Sequence, residues 1–291
     1  MGKYEAGCTV FSIILQYFRK GMMVQGLKIA VSGKGGVGKS TLSAAIAMIL
    51  SACGHKVLAI DADPDANLAS AFGMPPDTKS RIRPVAQERD LIEQRTGAKF
   101  GRRGQMFNLS PEVSDVAEKY GIAFGGVSIV VLGAVRSGGS GCACPENAFL
   151  KKLIRHLVLH ERETVVVDME PGIEHLGRAT AGGVDAMIIV LEPGTRSRET
   201  AQRIIALSKD IGLSEKLFFV LNKMRNSRDL EAVLSLGAGR VLGSVPFDQR
   251  FVDADCKGIS VFDLDGSEDL KLHFEKIVDA VLNIRGEVKK S

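Results

Sequence analysis

Residues that could bind the phosphates of a nucleotide stand together in one glycine-rich run, between a predicted apolar strand and a predicted helix. The run reads Gly33-Lys34-Gly35-Gly36-Val37-Gly38-Lys39-Ser40-Thr41. Glycines let backbone N–H groups curl around phosphate oxygens, because a side chain at these positions would block their approach. The pattern assigns Lys39 to the β- and γ-phosphates, Ser40 to Mg²⁺ and Thr41 to the α-phosphate. The run therefore predicts a P-loop that binds and hydrolyses a nucleoside triphosphate.

The elements that must hold this loop alternate in type along the chain. Short apolar runs are followed by amphipathic stretches, which is typical of a parallel sheet covered by helices on both faces. The predicted strands occupy residues 27–31, 56–60, 128–135, 164–168, 186–191, 217–221 and 240–245. The clearest helical patterns occupy residues 41–52, 145–159 and 270–284. We expect a single-domain α/β P-loop NTPase with a mostly parallel sheet of seven to eight strands.

Residues 1–26 precede this alternation and form an N-terminal extension. Its apolar stretch, residues 9–18, is about half the length needed to cross a bilayer. Either translation starts at Met22 or Met23, or the extension is a loosely attached helix. We assign the nucleotide-binding domain to residues 27–291.

One insertion and one terminal helix need separate interpretation. Residues 75–126 are polar and rich in Arg and Gly, and we expect a single short strand there, near residues 106–109. The helix predicted for 270–284 has the apolar spacing of an ordinary stripe that faces a core. It is therefore not expected to bind a membrane.

Composition excludes several classes of protein. The chain has 291 residues, 45% of them hydrophobic, and a net charge of +4 that is spread along the chain. Dispersed charge argues against a nucleic-acid-binding face. The five cysteines are an odd number, and only two are close together, which is not a disulfide framework. We expect a cytoplasmic protein that binds neither nucleic acid nor membrane.

A second lysine, Lys34, stands at a P-loop position that is ordinarily unconstrained. With it, GKGGVGKST resembles the deviant Walker A loop of the MinD/ParA/nitrogenase iron protein superfamily. The resemblance implies a homodimer that encloses the nucleotides, with Lys34 reaching the phosphates of the partner chain. A cation supplied in this way would stabilise the transferring phosphoryl group, as an arginine finger does. Lys34 and Lys39 are therefore the expected catalytic cations.

Carboxylates at predicted strand ends fall where this resemblance needs them. Asp61 and Asp63 follow one strand and Asp168 ends another, at the edge of the sheet where ligands bind in such folds. The resemblance implies that Asp61 and Asp168 hold Mg²⁺ through its hydration shell and that Asp63 orients the attacking water. Glu170 is the rival for this base, and Asp63 is favoured because its DxDP sequence matches the superfamily. Pro171-Gly172 then predicts a switch that senses the γ-phosphate.

The end of another predicted strand bears on the choice of base. Asn222 and Lys223 resemble the base-recognising NK pair of P-loop NTPases. Guanine-binding members carry an Asp two residues after the Lys, and here that position is Arg225. We therefore expect ATP and ADP, with the adenine held by Asn222, Pro246 and Phe247.

Cys142 and Cys144 are separated by one residue, in a glycine-rich loop before a helix predicted to start at Pro145. A helix N-terminus lowers the pKa of nearby thiols and favours the thiolate that binds metals. Two thiolates are half of a tetrahedral set, so a two-fold axis through the loops of a dimer would assemble four. Such a set suits Ni²⁺, Zn²⁺ or an iron–sulfur cluster. Incidental loop cysteines or a redox pair are the alternatives.

Four motifs together give a closer resemblance: GKGGVGKST, DADPDANL, GGSGCACPENAFLKKL and VVVDMEPGIEHLGRAT. They look like the CooC family, ATPases that insert nickel into carbon-monoxide dehydrogenase, and the match runs from residue 27 to the C-terminus. The resemblance implies that Cys142 and Cys144 bind nickel at a dimer interface and pass it to that enzyme or to an acetyl-CoA synthase. The extension and the insertion depart from the family pattern. Glu174 and His175 are either relay residues for the metal or a solvated helix start.

Two functions of other classes are the alternatives. A MinD/ParA-like spatial-positioning ATPase should carry a basic amphipathic C-terminal helix or a basic DNA-binding patch, and neither is evident. An iron–sulfur carrier or reductase like the nitrogenase iron protein would place its cysteines as CxxC or singly on separate loops, whereas this chain has CxC.

Overall fold

The computed structural model describes residues 26–99, 102, 104–134, 144–160, 163–172, 180, 182–226 and 240–288. Several residues named above lie outside this range. They are Cys142, Glu174, His175 and nearly all of the N-terminal extension. The backbone of Cys144 is described, but its side chain is not.

One sheet runs through the described chain. Its strands are β1 Lys28–Gly33, β2 Val57–Ala62, β3 Ile122–Phe124, β4 Val127–Val131, β5 Thr164–Met169, β6 Ala186–Leu191, β7 Leu217–Met224 and β8 Arg240–Pro246. Their order across the sheet is β3-β4-β2-β5-β1-β6-β7-β8. All neighbouring strands are parallel except β3 and β4. The prediction of a mostly parallel α/β sheet is confirmed.

Helices cover both faces of the sheet. They are α1 Lys39–Ala52, α2 Leu68–Ala71, α3 Pro76–Lys79, α4 Arg89–Thr96, α5 Val116–Tyr120, α6 Cys144–His160, α7 Thr195–Asp210, α8 Gln249–Lys257 and α9 Glu268–Val288. Short 3-10 helices occupy Val85–Gln87, Ser214–Lys216 and Val261–Asp263. The core on one face is built largely from α1 and α9, and the core on the other from α4, α6 and α7.

Central strands are mostly apolar because both of their faces are covered. β1, β5 and β6 are buried at every residue. Within β1, Ile29 and Val31 point into the core with α1 and α9, whereas Ala30 points into the core on the opposite face. A strand buried on both faces needs no polar alternation, which explains the near-continuous apolar runs of the sequence. All seven predicted strands are present, although β4 ends at Val131 and not at residue 135.

The insertion differs from its prediction. The short strand expected near 106–109 is wrong, because these residues form a loop in which Met106 is 96% exposed. The Gln105 side chain bonds the backbone of Lys99, and no neighbouring strand edge is used. The extra strand is instead β3, which pairs with β4 through Gly125-Gly126. Both glycines have positive φ, 56° and 79°, as a two-residue hairpin turn requires.

The apolar stripe of α9 faces the core as predicted. Its members are all buried: Leu270, Phe274, Ile277, Val278, Val281 and Leu282. Within the described residues, no helix combines the length and the apolar character needed to cross a membrane.

Two leucines allow a direct test of this layered core. Leu153 on α6 is fully buried, whereas Leu272 on α9 is 40% exposed. Leu153→Ala should lower the free energy of unfolding by about 3 kcal/mol, because it removes buried apolar area and leaves a cavity. Leu272→Ala should cost less than about 1 kcal/mol. Urea titrations with a common m-value would measure both, and equal losses would contradict the assigned layers.

Candidate functional site

The predicted P-loop lies between β1 and α1, at the carboxyl edge of the sheet. Gly38 caps α1 with a left-handed backbone, φ 96°. A side chain at Gly38 is also excluded by space, because an added Cβ would lie 2.3 Å from the Asn222 Nδ2 atom. The loop therefore needs glycine here both for its conformation and for its close approach to β7.

Lys39 is paired with a carboxylate at this edge. Its Nζ atom lies 3.4 Å from Asp63 Oδ2, and the two side chains are only 6% and 12% exposed. Asp63 Oδ1 accepts from the Asp65 backbone N–H at 3.1 Å. Two residues that the sequence placed in separate motifs are thus in contact, and their charges balance within a nearly buried environment.

Asp61 is fully buried at the end of β2. Its two oxygens accept backbone N–H groups from Asp63 at 3.2 Å and from Leu68 at 2.9 Å. Burial, followed by the negative charge of Asp168, raises the pKa of Asp61 to about 7. Two acidic groups in one buried place disfavour ionisation unless a cation joins them.

Asp168 is also fully buried and lies directly opposite Asp61 in the β2–β5 register. Burial raises its pKa to about 6, and the nearby Ser40 hydroxyl and Lys39 ammonium oppose that rise. One oxygen, Oδ1, accepts from the Ser43 hydroxyl at 3.2 Å. The other, Oδ2, is buried and has no hydrogen-bond partner among the described residues.

These residues fit Mg²⁺ as it is bound beside a nucleotide. The partnerless Asp168 oxygen, the raised pKa values and the Ser40 hydroxyl supply hard oxygen ligands and a need for positive charge. Within the described part of the chain, no three His, Cys, Asp or Glu side chains form a metal-binding group by themselves. Mg²⁺ typically completes its shell with water and phosphate oxygens, so a bare protein cage is not required.

Lys34 and the segment after β5 complete the phosphate end. Lys34 is half-buried, and no described carboxylate forms an ion pair with it. The Ser32 hydroxyl lies 3.0 Å from the Glu170 carbonyl oxygen and 2.8 Å from that of Gly172. A hydroxyl has one proton to donate, so these two carbonyls share it. The predicted switch is thereby tied to the strand that enters the P-loop.

The predicted base-binding residues lie together at the ends of β7 and β8. Pro246 pairs with Met224, and the Phe247 N–H donates to the Met224 carbonyl at 2.9 Å. The Arg225 guanidinium stacks over the Phe247 ring, 4.7 Å from its centre. Asn222 does not point freely into this space, because its side-chain amide donates to the Val37 carbonyl at 2.7 Å.

The described residues include the helix that follows the predicted thiolate site but not the two thiol groups themselves. α6 begins at Cys144, so the placement of that residue at a helix N-terminus is as expected. Cys142 and the side chain of Cys144 lie outside the described residues.

Sequence reasoning missed Ser32 and Ser43, which hold the switch segment and Asp168. A weak signal exists for each. Ser43 follows Lys39 by four residues and so falls on the same helical face, and Ser32 directly follows the apolar run of residues 29–31.

A pH-dependent stability should follow from the buried Asp168. The unfolded chain releases this proton near pH 4, whereas the folded protein keeps it to about pH 6. Folding stability therefore falls as the pH rises through that window. An asparagine at this position does not titrate, so without nucleotide and Mg²⁺ the Asp168→Asn variant should become more stable relative to wild type as the pH rises. This gain, the difference in unfolding free energy between variant and wild type, should be about 1 kcal/mol larger at pH 8 than at pH 5. Urea titrations would measure the gain, with the exposed Asp255→Asn as control, and a gain independent of pH would contradict it.

Comparison with known proteins agrees with this geometry. The family model described as the CobQ/CobB/MinD/ParA nucleotide binding domain matches residues 28–261. The chain is 44% identical over 239 residues to the carbon monoxide dehydrogenase accessory protein CooC of Rhodospirillum rubrum, covering 82% of this chain and 90% of that protein. It is 38% identical over 262 residues to an uncharacterized ATP-binding protein of Methanocaldococcus jannaschii, covering 89% and 99%.

Solved structures share the fold. The MinD cell division protein of Aquifex aeolicus has a TM-score of 0.61 at 22% identity, covering 90% of this chain and 98% of that one. The septum site-determining protein MinD of Pyrococcus horikoshii, complexed with Mg-ADP, has a TM-score of 0.62 at 20% identity, again covering 90% and 98%. With the matched family model and the relative from Rhodospirillum rubrum, these findings show that the chain belongs to the CooC family of Mg²⁺-dependent ATPases within the CobQ/CobB/MinD/ParA nucleotide-binding group.

Proposed function

We propose that this ATPase is a nickel metallochaperone whose nucleotide state controls a thiolate site formed by Cys142 and Cys144. One observation carries the proposal: the segment that bears both cysteines leaves the sheet beside the nucleotide site. Just after β4, the Leu132 N–H donates to the Asp61 carbonyl at 2.8 Å. The next described element is α6, which begins at Cys144.

This connection gives nucleotide chemistry a direct route to the cysteines. The Asp61 side-chain carboxylate binds Mg²⁺ in this proposal. The Asp61 main-chain carbonyl accepts the hydrogen bond from Leu132, at the start of the segment that leads to the cysteines. Any shift of the Asp61 backbone when Mg-nucleotide binds or leaves is passed to Leu132, since the two share a hydrogen bond. Binding and hydrolysis of ATP thus act on the segment that holds the metal.

The cargo follows from the chemistry of the pair. Two thiolates from each of two chains supply a soft four-sulfur set, which suits Ni²⁺ and also accepts Zn²⁺. The helix N-terminus at Cys144 favours the thiolate form. The site therefore exists in a homodimer, and dimer geometry decides whether the metal is held or released.

Hydrolysis uses the lysines and carboxylates of the phosphate end. The β- and γ-phosphates attract Lys39 away from Asp63, which leaves Asp63 free to orient the attacking water. Asp61, Asp168 and Ser40 hold Mg²⁺, and Lys34 of each chain acts on the nucleotide of the other. The unpaired state of Lys34 among the described residues supports a role outside its own chain. Its ammonium would stabilise the charge that develops during phosphoryl transfer.

The remaining assignments complete the proposal. Asn222, Pro246 and Phe247 hold adenine, and residues 27–291 act as one cytoplasmic domain preceded by the extension 1–26. The client is carbon-monoxide dehydrogenase or an acetyl-CoA synthase, and the name of the relative from Rhodospirillum rubrum supports the first of these. Neither nucleic acid nor a membrane is part of this function.

Lys34→Ala tests the action across the dimer. Cations supplied in this way are worth about 10³–10⁵ in rate, so kcat for ATP should fall at least 100-fold while ATP still binds. Lys56→Ala, which removes a lysine that is 85% exposed, is the control and should leave turnover unchanged. Phosphate release and equilibrium binding measure the two effects. Undiminished turnover in Lys34→Ala would exclude the proposed role.

Nickel-dependent association tests the thiolate site. Ni²⁺ added to nucleotide-free protein should produce a dimer with one ion per two chains in sedimentation and metal analysis. Cys142→Ser/Cys144→Ser should lose both effects, whereas Cys256→Ser, which changes an exposed cysteine, should keep them. If only ATP produces the dimer and nickel has no effect, the protein is a switch ATPase without this metal site.

A further inference from the structure

Two consecutive side chains at the end of β7 hold the P-loop from outside. Asn222 Nδ2 donates to the Val37 carbonyl at 2.7 Å, and Lys223 Nζ donates to the Gly36 carbonyl at 2.6 Å. Both acceptors are backbone groups of the phosphate-binding loop, more than 180 residues away in sequence. A lysine paired with a loop carbonyl is not explained by base recognition.

The backbone of Lys223 is unusual in a way that supports a specific role. Its φ is 58°, a left-handed conformation that only one other non-glycine residue, Ala66, adopts in the described chain. Asn222 Oδ1 accepts the Lys223 N–H at 2.9 Å and so stabilises this conformation locally. Strained backbone of this kind persists where the surroundings demand it, often at functional sites. Here it accompanies the contact of both side chains with the loop.

A carboxylate holds the lysine in place. Glu192 Oε2 lies 3.2 Å from Lys223 Nζ, and the two side chains are 25% and 41% exposed. Glu192 directly follows β6, and its own N–H donates to the Ser197 hydroxyl at 3.1 Å. The ammonium therefore lies between a fixed carboxylate and the Gly36 carbonyl, so its position is defined from both sides.

Peptide geometry connects this contact to the phosphates. In a trans peptide the N–H points opposite to the C=O. The Val37 carbonyl that Asn222 holds therefore turns the N–H of Gly38 to the opposite side. The Gly36 carbonyl that Lys223 holds belongs to a peptide whose own N–H, that of Val37, donates to the Lys34 carbonyl at 3.3 Å, so this peptide is fixed at both ends. Inward N–H groups of a P-loop are the donors that bind phosphate oxygens. Asn222 thus sets the direction of one such donor, and Lys223 fixes the preceding peptide of the loop, before any nucleotide arrives.

We propose that Lys223, held by Glu192, is a positioning residue that pre-organises the P-loop for the phosphates that ATP and ADP share. Pre-organisation strengthens binding by reducing the ordering that the ligand must impose. Because the two nucleotides use the same loop donors, loss of Lys223 weakens both by a similar factor. Lys34 and Asp63, in contrast, act on the transferring group. The inference rests on the P-loop as the nucleotide site and not on the metal cargo.

Lys223→Met tests the inference with little risk to folding. Methionine keeps an unbranched Cβ at positive φ and removes only the ammonium. The affinities for ATP and ADP should both fall about tenfold, which corresponds to about 1.4 kcal/mol. KM for ATP should rise by a similar factor while kcat changes less than about twofold, since uniform binding is lost. Lys223→Arg, which still donates to the loop and pairs with Glu192, should recover most of the loss.

Two further variants separate this role from general stability. Glu192→Gln should weaken both nucleotides about threefold, because the lysine loses its fixed partner. Lys216→Met is the matched control, since Lys216 Nζ donates to the Gly182 carbonyl at 2.9 Å in a bond outside the P-loop. Calorimetric titration and melting temperatures apply to all variants. Unchanged affinities in Lys223→Met, or a loss of affinity confined to ATP, would overturn the proposal. The nickel experiment tests a different site, so its failure would not change the expected dissociation constants for ATP and ADP.

Discussion

The nucleotide end of this protein depends on two carboxylates that are buried side by side. Asp61 and Asp168 face each other on adjacent strands and neither is exposed. Burial raises both pKa values, and the charge of Asp168 adds to the rise for Asp61 while the charge of Asp63 adds to the rise for Asp168. Positive charge near the pair therefore favours the anionic forms. Backbone N–H groups, the Ser43 hydroxyl and the P-loop lysine approach the pair from different elements.

Two lysines that contact the P-loop or belong to it, Lys39 and Lys223, each form an ion pair with a carboxylate. Lys39 contacts Asp63, and Lys223 contacts Glu192 while donating to the loop backbone. The first pair is nearly buried, and in the proposed mechanism it opens when phosphates attract the Lys39 ammonium. The second pair is half-exposed and lies outside the loop, where it can persist. We therefore propose that the first contact changes with the nucleotide and that the second keeps the loop in shape.

Segments leaving the same edge are attached to these groups. The Glu170 and Gly172 carbonyls share the Ser32 hydroxyl, and Leu132 bonds the Asp61 carbonyl. The first contact ties the predicted γ-phosphate switch to the P-loop strand, and the second ties Leu132, just after β4, to the backbone of Asp61. Hydrogen bonds at the strand ends therefore attach two segments that leave the sheet to residues of the candidate site.

Local patterns were sufficient to predict the strands, the P-loop and the apolar stripe of α9, because each depends on residues that are close together in the sequence. The patterns are apolar runs for the strands, glycines before a lysine for the P-loop, and apolar residues at helical intervals for α9. The same patterns failed in the polar insertion, where pairing with β4 and not composition placed β3. Residue types alone also assigned Asn222 to a base. Only the tertiary structure brought Asn222 and Lys223 against Val37 and Gly36, and Lys39 against Asp63. These contacts join residues that lie at the ends of strands or in the loop and helix beside them, and their distances depend on sheet order, which no local spacing encodes.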